Sequence, residues 1–473
     1  MTHQRHTAIF SGGERYVTLL GDDGVPDFWV TLYLTTYCRA YTLTTMDGYV
    51  GHLVHFKLWD EAQPEPLLDK VLRLCDEAEE LDEWIGFVPP VAFLAGYDAA
   101  SIATHCSFTT PAVRRRLAQE KKKRSNVIQF QAAMPIGVES DPTVSSKQQY
   151  DRLTVIAKFV RFVLENALRN RKHYADYYPL IEDAEKQLLK QRVTVQSEKG
   201  DKSDPDRKAP PPEVFMEVLN LAEPECLENP YTKLVRKRNY LLIRVLFETG
   251  FRGGELLQLK VEDLDFAGGK IMVRRRHDDP EDVWRRYEPN AKTQERDMPV
   301  SDALMKELRD YVVGERREVV NSGLPQRQRH GFLFVSYKGK TKGQPMSISQ
   351  AKRLIQVIAK SDALAEFIYS EGLVLPKGVM RHGFRHNFNY LLSERIDEQN
   401  RQAREEGRLE DIITEKEEVD QRMLLNGHKS ASSAEVYNRR HTKEKAEKLV
   451  KPLMEEIDRQ IKEGRNRADR NRD

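Results

Sequence analysis

Three short segments of the 473-residue chain hold the residue types needed to attack a phosphodiester. LLNGHKSASSAEVYNRR (Leu424–Arg440) sets His428 nine positions ahead of a lone tyrosine, Tyr437, among small polar residues. Upstream, FETGFRGGELLQL (Phe247–Leu259) carries Arg252 and Glu255, and MRHGFRHNF (Met380–Phe388) carries His382, Arg385 and His386. A phenol with a pKa near ~10 is a weak nucleophile at neutral pH and depends on its surroundings. Attack on phosphorus spreads negative charge over the nonbridging oxygens. Planar, permanently charged guanidinium forks meet that charge with paired hydrogen bonds. The leaving sugar oxygen must gain a proton, so a positioned histidine or lysine completes the set without a metal.

Each of these residues has a plainer reading when taken alone. A lone tyrosine beside Asn438 and two arginines is usually a half-buried surface aromatic. Single arginines are more often surface ion pairs than phosphate clamps. His382 and His386 lie four apart, a spacing that can hold zinc on a helix, but Gly383 stands where a metalloprotease carries its glutamate. The joint occurrence of all segments, in order and with compatible chemistry, outweighs these readings.

The elements that must position these groups read as mostly helical. Apolar residues make up 39% and charged residues 32%, so the chain has a large solvated surface. No apolar run reaches the length of a membrane span, the N-terminus lacks a signal-peptide layout, and the four cysteines are far apart. These features predict a cytoplasmic protein with no membrane partner. Tyr49, Leu53, Phe56 and Trp59 recur at helical spacing, as do Leu153, Ile156, Phe159, Val160, Phe162 and Val163 within Ser146–Leu168. Gly21–Gly24 reads as the turn of a short hairpin.

Ser197–Glu213 is charged, ends in prolines and reads as a linker. Beyond it, helices are predicted through Gly250 as a C-cap, then over Asp302–Glu318, Ser347–Ala363 and Gly383–Gln399. Lys270–Arg276 and Glu295–Ser301 read as paired strands across a long excursion. The boundaries expected are an N-terminal arm at 1–24, a mainly helical domain at 25–195, a linker at 196–212, a second domain at 213–450, and a C-terminal helix with its tail at 451–473.

Net charge is only +2, so overall charge does not announce nucleic acid, but local charge does more. Val113–Arg124 carries Arg114, Arg115, Arg116, Lys121, Lys122, Lys123 and Arg124 against one acidic residue. That run is a candidate footprint for a phosphate backbone, with a solvated helix face as the alternative.

ETGFRGGELLQLKVEDLD, KTQERDMPV, HGFRHNF and LNGHKSASSAEVYNRR together resemble the motifs of the tyrosine recombinases, the phage-integrase family, in family order over roughly residues 211–450. GVPDFWVTLYLTTYCRAYTLTTMDGYVGHLVHFKLW resembles the family's core-binding helical domain more weakly. The resemblance implies a mainly α fold with a small β-sheet or hairpin in the catalytic domain, two domains forming a C-shaped clamp on DNA. It implies that Tyr437 forms a 3′-phosphotyrosyl bond and that Arg252 and Arg385 clamp the scissile phosphate. Lys292 would protonate the leaving 5′ oxygen, His382 would assist proton transfer, His428 would hydrogen-bond the phosphate, and Glu255 would orient the site.

It further implies double-stranded DNA as partner, a homotetramer on DNA, accessory DNA-bending or directionality proteins, association with the nucleoid, and neither ATP nor a metal cofactor. Integration or excision of a mobile element is the expected task; a silent DNA-binding relative and a type IB topoisomerase-like enzyme are the alternatives. Three features depart from the family's pattern. Gly253 and Gly254 follow Arg252 directly, Lys292 lies forty positions after Arg252 (with Lys270 as the alternative lysine), and the charged stretch Glu398–Arg422 separates His382 from His428 by 46 positions.

Overall fold

The computed structural model describes residues 3–89, 99–111, 113, 142–194, 210–289, 291, 293–375, 378–432, 442, 445–446, 448, 450–452, 454–456 and 459. The chain divides into two compact units, Met1–Ile9 with Arg15–Ser197 and Phe10–Glu14 with Glu198–Asp473. Both are mainly helical. The sheets among the described residues have two and three strands.

In the first unit β1 (Gln4–Ile9) pairs antiparallel with β2 (Arg15–Leu20), Gln4 opposite Leu20 and Ile9 opposite Arg15. The hairpin closes where the Phe10 N–H donates to Glu14 O at 2.9 Å. Gly21–Gly24 does turn, through Gly24 N–H to Gly21 O at 3.1 Å, but it leads into the first helix rather than closing the hairpin. Helices α1 (Phe28–Thr36), α2 (Leu43–Asp60), α3 (Leu67–Ile85), α4 (Ala99–Ser107), α5 (Ser146–Leu168) and α6 (Tyr174–Lys190) follow. α5 has the predicted bounds because Ser145 caps it, its hydroxyl accepting the Gln148 N–H at 3.3 Å. Leu153, Ile156, Phe159, Val160 and Val163 share one face and meet Leu53, Phe56 and Trp59 of α2 in a single core.

The second unit opens with α7 (Pro212–Ala222), followed by α8 (Arg236–Thr249), which runs through its core with Tyr240–Ile243, Val245 and Leu246 buried. Gly250 ends α8 in the left-handed region, φ 61°. A Cβ there would also stand 2.9 Å from the Phe388 side chain, so only glycine fits on both counts. The turn buries Phe251 and hands the chain to α9 (Gly253–Gln258). β3 (Leu264–Asp265), β4 (Lys270–Val273) and β5 (Arg296–Pro299) form an antiparallel sheet in that order, with Val273 opposite Arg296.

The excursion between β4 and β5 packs against the unit. Arg285, 4% exposed, donates through Nε to both Asp282 oxygens at 2.8 and 2.9 Å and through Nη1 to Leu257 O at 2.8 Å. Its guanidinium also lies 4.4 Å from the Phe332 ring centroid.

Two predicted helices are divided. Asp302–Glu318 becomes α10 (Asp302–Tyr311) and α11 (Arg317–Gly323), parted by a wide turn in which Gly314 takes φ −95° and ψ −109°. Ser347–Ala363 becomes α12 (Ile348–Ala359) and α13 (Asp362–Ser370), because Ser361 caps the second with its hydroxyl on the Leu364 N–H at 3.4 Å.

The charged stretch is a helical return. α14 (Arg381–Glu405) runs eight residues into it, the chain turns at Gly407, and α15 (Glu415–Asn426) comes back behind a capping box of Thr414 and Glu417. Asn400 fastens the turn, donating to Ile413 O at 2.9 Å and accepting the Ile413 N–H at 2.8 Å. Arg422, 1% exposed, bonds Asn389 O at 3.0 Å, Ser393 Oγ at 2.6 Å and Glu418 Oε1. No described helix is long and apolar enough to cross a membrane.

Candidate active site

Three separate stretches of the second unit converge. Arg252 is the N-cap residue of α9, and its backbone N–H donates to Glu255 Oε2 at 3.0 Å. The carboxylate three residues on thus fixes the angle at which the chain enters α9. It also limits the freedom that Gly253 and Gly254 would otherwise give Arg252. Arg385 lies in the second turn of α14 and is wholly buried. Its Nη1 donates to Gly250 O at 3.1 Å and its Nη2 to Asn426 O at 2.7 Å. His428 follows Gly427, which ends α15 at φ 62°. A Cβ on Gly427 would lie 2.9 Å from both Arg296 Nη1 and Gln294 O, so glycine is required where the turn approaches β5.

The two guanidinium groups meet at one atom. Arg385 Nη2 lies 3.0 Å and Arg252 Nη2 3.3 Å from His428 Nε2. Guanidinium only donates, so Nε2 accepts both bonds and the ring proton is assigned to Nδ1. Burial, reinforced by the charges of Arg385, Arg252 and Arg296, holds the His428 pKa down to about 4 against the opposing pull of Glu255. The imidazole is therefore neutral at pH 7. Arg252 Nη1 is buried without a hydrogen-bond acceptor among the described residues and stands 3.8 Å from Glu255 Oε1. It is a donor available to a phosphate oxygen.

Glu255 is the hub beneath these groups. It is 1% exposed, accepts from Arg296 Nη2 at 3.0 Å and from the Thr293 hydroxyl, and lies 4.0 Å from Arg385 Nη1. Burial alone would raise its pKa. Arg296 and Arg385, with the bonds from Arg296 and Thr293, outweigh burial and hold it below the usual carboxylate value. Three guanidinium groups against one carboxylate leave the pocket net positive, suited to a phosphodiester whose charge grows during attack.

Sequence reasoning anticipated the positions of Arg252, Glu255, Arg385 and His428, and the structure brings these four together. It places His382 in the first turn of α14, exposed, with its ring centroid 5.0 Å from that of His386. Tyr437, Lys292 and the basic run Arg114, Arg115, Arg116, Lys121, Lys122, Lys123 and Arg124 lie outside the described residues, as does most of the predicted linker. No group of three or more potential metal ligands occurs among the described residues. The alternative lysine, Lys270, is exposed at the start of β4.

Arg296 and Thr293 escaped the sequence reading. Arg296 donates through Nε to Leu425 O at 2.7 Å and through Nη1 to Thr293 Oγ1 at 3.2 Å, joining β5, α9 and the end of α15. Their place within KTQER, beside the expected lysine, was the only local signal.

Residues 223–399 match the model of the phage integrase family. The match takes in Arg252, Glu255, His382 and Arg385. Among curated relatives, transposase A from transposon Tn554 of Staphylococcus aureus is 29% identical over 124 residues, 26% of this chain and 31% of the transposase. The chain thus spans about a third of the length of the curated relatives it matches. Among solved structures, the Tn1549 transposon integrase in complex with circular intermediate DNA is 17% identical, with 77% of this chain and 86% of that chain covered and a TM-score of 0.37. The XerH site-specific recombinase bound to palindromic difH substrate is 14% identical, with 89% and 94% covered and a TM-score of 0.40.

Proposed function

We propose that the chain is a site-specific DNA recombinase that cuts and rejoins strands through a 3′-phosphotyrosine, integrating or excising a mobile element. The observation that carries this reading is the meeting of Arg252 and Arg385 at His428 Nε2, from segments up to 176 residues apart. A nonbridging phosphate oxygen brought to that point would accept from both guanidinium groups, including the open Arg252 Nη1 donor. His428 would then turn from acceptor to donor, by tautomer exchange or by taking up a proton as the phosphate charge raises its pKa.

In the proposed step Tyr437 attacks phosphorus, the 5′ oxygen leaves with a proton from Lys292, and His382 assists proton transfer. Storing the bond energy in the phosphotyrosyl ester makes the step reversible without ATP. Residues 25–195 would act as the core-binding domain and 213–450 as the catalytic domain, clamping double-stranded DNA, with Arg114–Arg116 and Lys121–Arg124 on the backbone. Four copies would exchange strands at two sites, with accessory proteins setting direction, in the cytoplasm. Covalent trapping on nicked duplexes tests the reading. An adduct that forms without metal and is lost in Tyr437→Phe supports it; an adduct that persists in that variant overturns it.

A further inference from the structure

We infer that Gln258 is a positioning residue for the lysine arm, the segment that ends at Lys292; the inference rests on the reaction proposed above. Gln258 is the last residue of α9 and is 2% exposed. Its amide spans both ends of the excursion: Nε2 donates to Arg276 O at 2.5 Å, and Oε1 accepts the Ala291 N–H at 3.2 Å. One planar amide can do this because it carries a donor and an acceptor side by side, and the two backbone partners fix which way it faces.

The residues on either side of Lys292 in sequence are both buried, Ala291 at 2% and Thr293 at 3%. Both are held by α9, Ala291 by Gln258 and Thr293 by Glu255. The same six-residue helix has Arg252 at its N-cap. Arg252 and both sequence neighbours of Lys292 are therefore tied to one helix, although forty positions of chain separate Arg252 from Lys292. Arg285 still anchors the middle of the excursion without the glutamine tie, but Ala291 loses its bond to α9 and the chain entering Lys292 loses that fixed origin.

The chemistry offers a readout that a general loss of stability would not imitate. In the proposed step the Tyr437 oxygen bonds to phosphorus, the P–O5′ bond breaks, the Lys292 ammonium gives its proton to O5′, and the phenol proton passes to solvent. If sulfur replaces O5′, the P–S5′ bond breaks and the thiolate, a much weaker base, departs unprotonated. A defect in the acid arm disappears on the sulfur substrate, whereas a defect in the arginine clamp remains.

Gln258→Leu and Gln258→Met roughly keep the side-chain volume and remove both hydrogen bonds. The probes are nicked duplexes from the sequences flanking the chain's own coding region, with O5′ or S5′ at the mapped cleavage position. Both variants should cleave the oxygen duplex about 10- to 100-fold more slowly, as for a misplaced reacting group. They should cleave the sulfur duplex close to the wild-type rate, bind DNA with unchanged affinity, and share this rescue with Lys292→Ala. Equal slowing on both substrates, wild-type rates on the oxygen duplex, or no rescue in Lys292→Ala overturns the inference. A wild-type chain that forms no Tyr437 adduct on either duplex overturns the proposed reaction itself.

Discussion

Arg296 donates to Glu255 Oε2 at 3.0 Å across 41 residues of sequence, and through that bond the sheet supports the helix that presents Arg252. Glu255 is 1% exposed and Arg296 7%, so the pair is desolvated. Removing one partner of such a pair strands the other. Glu255→Gln should cost about 3–5 kcal/mol of stability in urea unfolding. It should also slow adduct formation on the order of 10²-fold through misplacement of both arginines. Wild-type stability and rate in this variant would remove Glu255 from the hub.

The two arginines should separate in their effects. Arg252 is 29% exposed in its side chain, whereas Arg385 is wholly buried and bonded to two backbone carbonyls. Arg252→Ala should raise the cleavage barrier by about 2–4 kcal/mol, as for a lost oxyanion donor, with little loss of folding stability. Arg385→Ala should lose both. Parallel single-turnover cleavage and urea titrations check this, and equal stability losses would contradict it.

Acid should loosen the fold before the carboxylates titrate. His428 and His330 are both held near pKa 4, His330 chiefly by burial. His330 fits the neutral ring, accepting the Phe332 N–H at Nδ1 (3.2 Å) and donating from Nε2 to Gly343 O (2.9 Å). These folded-state values lie below the ordinary ~6.5, so the unfolded chain takes up protons first as pH falls. Their neutral state imposes no penalty above about pH 7, and stability drains between roughly pH 6.5 and 4. The limit is about 3 kcal/mol for each histidine. Melting temperatures taken from pH 7 down to 5 should fall; a flat profile would contradict the assignment.

The charged return between α14 and α15 should divide into one structural arginine and a tolerant surface. Arg422→Ala breaks a buried network and should cost about 3–5 kcal/mol. It should also slow cleavage, because α15 delivers His428. Arg408, 48% exposed in its side chain, should change stability by no more than about 0.5 kcal/mol on replacement by alanine. Chemical denaturation of the two variants side by side measures the contrast, and equal losses would refute it.

What the sequence disclosed was local. The apolar stripe of α5, the glycine that ends α8, and the motif residues Arg252, Arg385 and His428 could be read because spacing or neighbouring residue types reveal them. The break before α13 was also local: Ser361 followed by Asp362 is a helix-start signal inside a run read as one helix. Arg296, Gln258 and Arg422 were not legible in this way. Each acts through partners far along the chain, such as Leu425 for Arg296, and an arginine in a polar run looks the same whether it faces solvent or a buried carboxylate. For the same reason the helical return within Glu398–Arg422 was not legible from its charge. Its outward residues dominate the composition, while Asn400, Ala403 and Arg422 face inward.

The central claim is that Tyr437 attacks a phosphodiester held by Arg252 and Arg385, and covalent trapping tests it most directly. Purified protein is incubated without metal on nicked duplexes from the flanks of its coding region, beside Tyr437→Phe, and resolved on a denaturing gel. A slow-migrating protein–DNA band in the wild type that disappears in Tyr437→Phe is the predicted result. A band of equal intensity in the variant would contradict the account.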